Sequence, residues 1–100
     1  MSWVKEALAA LERGESARVR PHGGSMRGRI ESGQLITIAP VAPDDVEVDD
    51  VVFLRWKGSY LLHIVKQIGD EGLLIGNNLG KINGWAAPQD VLGKVTAVVD

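Results

Sequence analysis

The N-terminal stretch of the chain carries apolar residues at the spacing of an amphipathic α-helix. They form one stripe of a helix with about 3.6 residues per turn: Trp3, Val4, Ala7, Leu8 and Leu11. Ser2 precedes the stripe and Gly14 follows it, and these residue types commonly cap the start and the end of a helix. The polar side mixes both signs of charge and offers little attraction to anionic lipid. We therefore expect this helix to pack on the rest of the domain rather than lie on a membrane.

After the helix, the pattern changes to short segments rich in β-branched and apolar residues, separated by glycine, proline and aspartate. These segments predict strands at residues 17–20, 35–41, 51–56, 60–68, 73–75 and 91–99. The sequence Lys57-Gly58-Ser59 predicts a hairpin. The chain is therefore expected to be mainly β, with a coiled antiparallel sheet or small β-barrel preceded by one short N-terminal amphipathic helix. We expect one domain over residues 1–100, with the helix in residues 1–14 and the β domain in residues 17–100.

Composition and charge restrict the classes of partner. The chain has 100 residues, 45% of them hydrophobic and 24% charged, and a formal net charge of −2. This balance is typical of a soluble globular protein and argues against nucleic acid as a partner. Cysteine is absent, so neither disulfides nor thiolate-bound zinc can stabilise the fold. No run approaches the ~18 apolar residues of a spanning helix. We expect a cytoplasmic protein without a membrane partner, metal or cofactor, and the sequence leaves the oligomeric state open.

The candidate chemistry begins at Gly23-Gly24-Ser25-Met26, where a serine stands on a glycine-rich turn ahead of His63 in a predicted strand. A serine hydroxyl is a weak nucleophile at neutral pH and needs a base such as histidine to take its proton. Neighbouring glycines let backbone N–H groups approach a developing oxyanion. The alternative is an ordinary turn and an ordinary strand histidine, since both are common.

Strand geometry ranks the candidate bases. Because side chains alternate between faces, Leu61, His63 and Val65 share one face of their predicted strand. Lys66 lies on the other face unless a bulge intervenes, which makes it a weaker rival. His22 is a second rival, but residues as close on a turn as His22 and Ser25 usually diverge.

Four ordered motifs resemble the serine proteases that unite type I signal peptidases with the autocleaving domain of LexA-like repressors. The family's motifs are a glycine-flanked Ser-Met, a Val-x-x-Gly-Asp segment, a strand carrying the base, and an Asn-Asn turn with a later Gly-Lys-Val. The matching residues are Gly24-Ser25-Met26, residues 46–52 with Asp50, His63-Ile64-Val65, and Gly76-Asn77-Asn78 with Gly93-Lys94-Val95. The resemblance extends over residues 22–95 and implies that family's β fold.

The resemblance also implies roles for individual residues. Ser25 would be the nucleophile and His63 the general base, as in the signal peptidases that use histidine. The further implied positions are Gly23, Gly24 and Met26 for the oxyanion or substrate, Asp50, Asp70 or Asp90 as an acidic third member, and Asn77 with Asn78 for ordering the site. Adjacent asparagines also commonly just form a turn, and both interpretations stay open.

Two functions follow from these residues. The first is a serine endopeptidase that performs limited proteolysis, such as protein maturation or leader removal. The resemblance implies a peptide substrate bound as an extended strand, with small residues before the cut. The alternative is a non-catalytic peptide-binding or dimerisation module on the same fold.

Departures from the family's motifs favour the alternative. Gly23 leaves no hydroxyl two residues before Ser25, where many signal peptidases have one. The other departures are Gly28 in place of proline, Gln34 in place of aspartate, Ile64 in place of arginine, and Gly76 followed by Asn77 without an aspartate between them.

Overall fold

One helix is followed by strands that form an antiparallel sheet, in a computed structural model that describes residues 2–22 and 26–99. The helix α1 covers Trp3–Glu12. The strands are β1 (Ala17–Val19), β2 (Leu35–Pro40), β3 (Val51–Trp56), β4 (Ser59–Gly69), β5 (Gly72–Gly76), β6 (Ile82–Ala86) and β7 (Val91–Val99). Short 3₁₀ turns at Pro43–Asp45 and Pro88–Asp90 precede β3 and β7.

The sheet is open rather than closed into a barrel. Within the described residues its seven strands lie in the order β1-β2-β7-β3-β4-β5-β6, so β1 and β6 are its two edges. The predicted mainly β fold with one N-terminal helix is confirmed, and the open sheet is the architecture formed. The last strand, β7, lies between β2 and β3 and pairs with both. It therefore joins β1 and β2 to β3–β6 in one sheet.

Both ends of α1 are capped as the sequence predicts. The Ser2 hydroxyl accepts a hydrogen bond from the N–H of Val4 at 3.2 Å. At the other end Gly14 has a φ of +74°, and its N–H donates to the carbonyl of Leu11 while the N–H of Glu15 donates to that of Ala10. This is a Schellman ending, which places glycine in the left-handed region. The residues at its two ends, Ser2 and Gly14, therefore determine where the helix begins and ends.

The predicted hairpin joins β3 to β4. Trp56 pairs with Ser59, so Lys57 and Gly58 form a two-residue loop. Both have positive φ, +47° and +80°, as a type I′ turn requires. The turn fixes the register in which Val52 faces His63.

Alternation along β3 and β4 sends side chains to two cores, one on each face of the sheet. The core beneath α1 includes Ala7, Ile36, Ile38, Phe53 and Ile64. The core on the opposite face includes Val52, Leu54, Val65, Leu73 and Ile75. Because Ala7 and Ala10 are buried in the first core, α1 packs on the sheet as expected.

The strand β6 has no counterpart among the predicted strands. Its sequence contains Asn83 and Gly84, two residue types with low strand propensity. The register of β6 with β5 shifts there, because Ile75 pairs with Gly84 and Gly76 with Ile82. Asn83 is thus the extra residue of a bulge, and pairing with β5 rather than local propensity holds β6 in place.

Candidate active site

His63 lies in the middle of the sheet, in the first half of β4. It pairs with Val52 of β3 and is only 7% exposed. Leu61 and Val65 both pack towards the core that contains Val52, as the predicted shared face requires. A buried histidine needs a partner for its ring N–H, since an unpaired polar group in an apolar setting is costly.

The backbone of the preceding residue supplies that partner. His63 Nδ1 lies 2.6 Å from the carbonyl oxygen of Leu62. A carbonyl only accepts, so Nδ1 carries the hydrogen and the neutral ring has its lone pair on Nε2. The Leu62 carbonyl therefore selects the tautomer in which Nε2 can accept a proton, the task that an acidic residue performs in a serine–histidine–aspartate triad.

The Leu62 carbonyl lies on an unpaired edge of β4. Strand β3 covers one edge over Ser59–Ile64, whereas β5 pairs with the other edge only from Ile64 onward. Within the described residues, no strand lies beside the second edge of residues 59–63. The N–H and the carbonyl of Val65 both point to the β3 side, where they bond to Asp50 and Asp49. The backbone groups of successive residues in a strand point to alternate sides, so those of Leu62, three residues earlier, point to the open edge.

The surroundings of His63 favour its neutral form. Burial is the main cause that lowers its pKa below the ordinary 6.5. The hydrogen bond to the Leu62 carbonyl raises the pKa and offsets part of this effect, while the charge of Lys81 lowers it further. The imidazole is therefore uncharged at neutral pH and available as a base.

A cavity of about 160 Å³ opens beside His63, and we call it the His63 cavity. Its apolar walls are Trp3, Met26, Ile30, Tyr60, Leu61 and Leu62. Polar residues also line it, among them His22 and Glu31. Met26 directly follows Ser25 in the sequence. The cavity is therefore lined both by His63, the candidate base, and by the neighbour of the candidate nucleophile.

The predicted residues Gly23, Gly24 and Ser25 lie outside the described residues. The chain resumes at Met26, which is 5% exposed and packs in the core beneath α1 together with Ile30. The N–H of Ile30 donates to the carbonyl of Met26 at 2.8 Å, which closes a helical turn. Met26 thus packs in the core and also lines the His63 cavity.

The turn after Met26 suits glycine at position 28 and excludes proline. Gly28 has a φ of +96°, whereas proline is fixed near −65°. Its N–H donates to Glu31 Oε2 at 2.6 Å, and proline has no N–H. A Cβ at this position would lie only 2.8 Å from Asn78 Nδ2. The positive φ and the N–H exclude proline, and the positive φ together with the nearby Asn78 side chain favours glycine over the other residues.

The two asparagines form a turn and connect it to the segment after Ser25. Asn77 is buried, and its Oδ1 accepts from the N–H groups of Leu79 and Lys81 at 2.8 and 3.0 Å. Asn78 Nδ2 donates to the carbonyl of Arg27 at 2.7 Å. Both interpretations of Asn77 and Asn78 thus have a structural counterpart: the first shapes the turn, and the second links it to Arg27.

Of the three candidate acids, Asp50 and Asp90 have other partners and Asp70 is exposed. Asp50 accepts from the N–H of Glu47 at 2.8 Å and from Lys94 Nζ at 3.4 Å. Asp90 lies 3.5 Å from Arg55 Nε, and Asp70 is exposed in the turn between β4 and β5. Among the described residues, no carboxylate is hydrogen-bonded to His63. The Leu62 carbonyl holds the position that an acid would take.

The two rival bases differ in position. His22 lines the His63 cavity, and its Nδ1 lies 3.4 Å from Ser32 Oγ. A bulge does occur at Lys66, where the pairing of β4 with β5 skips from Val65 to Gln67. The Lys66 side chain nevertheless lies against Gly76 and does not line the His63 cavity.

Two aromatic residues of the cavity had no predicted role at the site. Trp3 belongs to the apolar stripe of α1, and Tyr60 belongs to β4; both contact Phe53, with ring centroids 5.6 and 5.8 Å away. Their spacing in the sequence indicates only helix and strand packing. No local signal could have brought Trp3 to His63, because tertiary packing of α1 does so.

The described parts of the chain, residues 2–22 and 26–99, contain no cluster of three or more potential metal ligands. In the same residues no helix has the length and apolar character needed to cross a membrane. Among known proteins, the sequence matches no protein-family model and has no significant match to a curated protein.

Proposed function

We propose that the protein is a serine endopeptidase that performs limited proteolysis through a Ser25–His63 dyad, as the resemblance to signal peptidases and LexA-like repressors suggests. The observation that carries the proposal is the hydrogen bond from His63 Nδ1 to the Leu62 carbonyl. It leaves Nε2 as the acceptor, on a ring whose pKa is lowered mainly by burial.

In the proposed reaction, His63 Nε2 takes the proton of the Ser25 hydroxyl as its oxygen bonds to the substrate's carbonyl carbon. The protonated ring then gives this proton to the leaving amine nitrogen, the C–N bond breaks, and an acyl ester remains on Ser25. Water attacks the ester with His63 again as base, which releases the new carboxyl end and restores the hydroxyl. The Leu62 carbonyl stabilises the imidazolium that forms in both steps.

Substrate binding as an added strand is part of the proposal. The unpaired edge of residues 59–63 offers backbone donors and acceptors beside the cavity. An extended peptide can pair with such an edge through main-chain hydrogen bonds, and its side chains then provide specificity. A cytoplasmic location belongs to the same proposal, and cell fractionation tests it.

Single substitutions test the dyad. The purified protein is incubated with a mixture of random peptides, and the products are identified by mass spectrometry. Ser25→Ala and His63→Ala should each reduce cleavage by about 10³-fold or more. Lys57→Ala, in the β3–β4 hairpin loop, should retain the activity of the wild type. Cleavage that survives both Ser25→Ala and His63→Ala would refute the dyad.

The second candidate function is a non-catalytic peptide-binding module, which the same open edge of β4 would serve. Labelling by a fluorophosphonate separates the two candidates. An active dyad should give a mass adduct on Ser25 that His63→Ala strongly reduces. Peptide binding without any adduct or cleavage would favour the module.

A further inference from the structure

A second cleft lies next to the His63 cavity. It lies between the start of α1 and the edge strand β1, and we call it the arginine cleft because Arg18 and Arg20 line it. Trp3 and His22 line both this cleft and the His63 cavity. The two spaces are therefore adjacent across these two residues, and we call them together the groove, with His63 lining one part and the arginines the other.

The His63 end is lined mainly by apolar residues and is large enough for a bulky side chain. Its volume of about 160 Å³ is close to the ~150 Å³ of an apolar cavity known to bind benzene. Trp3 and Tyr60 contribute aromatic walls, and Met26 contributes a flexible one. An alanine side chain would leave most of this volume unfilled. A branched aliphatic or aromatic side chain fits the space better than the small residues that the resemblance implies.

The other end is positively charged. Arg18 lies on β1 and Arg20 directly follows this strand; both are exposed, whereas Ala17 and Val19 are buried. One N–H of Arg20 donates to the Gly33 carbonyl at 2.9 Å, and the guanidinium keeps further donors. Glu6 is the one acidic residue among those that line the described cleft. The local excess of positive charge contrasts with the net charge of −2 for the whole chain.

From this groove we infer that the protein's peptide ligand pairs a bulky apolar residue in the His63 cavity with an acidic residue in the arginine cleft. The inference rests on the proposed function for the orientation of the bound peptide, because that orientation places the apolar residue next to the scissile bond. The binding itself requires only the groove. A carboxylate near two arginines gains charge-assisted hydrogen bonds, and a cationic side chain there would be repelled.

Binding without cleavage tests the inference. The Ser25→Ala protein is titrated against fluorescent glycine-serine peptides that carry one leucine and one aspartate at varied separation, and anisotropy is recorded. At the best separation, exchange of aspartate for lysine should weaken binding by about three- to tenfold, and added salt should reduce this difference. Exchange of leucine for alanine should weaken binding by a similar factor.

Reversing a charge in the protein is the more direct test. Arg18→Glu should lower the affinity for the aspartate peptide and raise that for the lysine peptide. Lys57→Glu, a matched reversal in the β3–β4 hairpin loop, should change neither. Equal affinities for the aspartate and lysine peptides, or equal effects of the two reversals, would overturn the inference. Because the readout is binding to Ser25→Ala, this result is independent of whether the wild-type protein cleaves peptides.

Discussion

The side chain of Asn78 donates a hydrogen bond to the backbone carbonyl of Arg27, 51 positions earlier in the sequence. It joins the turn between β5 and β6 to the segment that directly follows Ser25 and Met26. We expect Asn78→Ala to lower the free energy of unfolding by about 1 kcal/mol; if the proposed function is correct, it should also reduce peptide cleavage more than this loss of stability explains. Urea unfolding and peptide cleavage measured on the same samples separate the two effects.

Asn83→Ala is the matched control for Asn78→Ala. The Oδ1 atom of Asn83 is buried and has no hydrogen-bond partner among the described residues. Its removal should therefore cost little stability and leave activity near that of the wild type. Equal losses in the two variants would argue against a specific role for the bond from Asn78 to Arg27.

Gly28→Ala should destabilise the protein more than Gly80→Ala does. The two glycines have nearly the same φ, +96° and +95°, so the backbone strain introduced by alanine is similar. Only at Gly28 would the new Cβ collide, 2.8 Å from Asn78 Nδ2, since the space around Gly80 is open. We expect a difference of about 1 kcal/mol or more in the free energy of unfolding. A double variant with Asn78→Ala should recover part of it, and no recovery would exclude this contact as the cause.

Folding stability should decrease when the pH falls below about 6.5, the pKa of histidine in the unfolded chain. Because the folded-state pKa of His63 is lowered, the unfolded chain binds the proton first. The contribution of His63 is thus present above pH ~6.5 and is lost as the pH falls through the folded-state pKa. Urea unfolding at about pH 7.5 and about pH 5 measures it. His63→Gln should weaken this pH dependence, and an unchanged dependence would contradict the assignment.

Replacement of Lys81 should raise the pKa of His63. The positive charge of Lys81 opposes protonation of the ring, so Lys81→Gln removes one cause of the lowered pKa. NMR titration of the ring protons gives the pKa directly, and His22→Ala identifies which signal belongs to His63. Lys57→Gln, in the hairpin loop, should produce no shift. If His63 is the catalytic base, the acidic limb of the activity profile should move to higher pH by the same amount.

The sequence predicts the elements whose local signals agree with their tertiary environment. Ser2, Gly14 and the apolar stripe between them define α1, and the loop at Lys57 and Gly58 defines the central hairpin. The strand β6 escapes prediction because Asn83 and Gly84 favour a turn, and only its partner β5 stabilises it. Local propensity is a weak guide where pairing decides the structure.

For the site, the sequence predicts the face of β4 on which His63 lies, but not what orients its ring. The acceptor is a backbone carbonyl, which every residue has, so no side-chain pattern could single out Leu62. The meeting of Trp3, His22 and His63 at one cavity likewise depends on how α1 docks on the sheet. Contacts of this kind are set by packing between distant segments.

The docking of α1 links ligand binding to the stability of the chain's first element. Ala7 and Ala10 hold the helix on the core, while Trp3 forms a wall shared by both parts of the groove. A peptide seated against Trp3 must leave before the helix can detach, so binding adds to the free energy of that local opening. Amide hydrogen exchange in α1 should therefore slow in proportion to groove occupancy, which makes the helix an internal reporter of ligand binding.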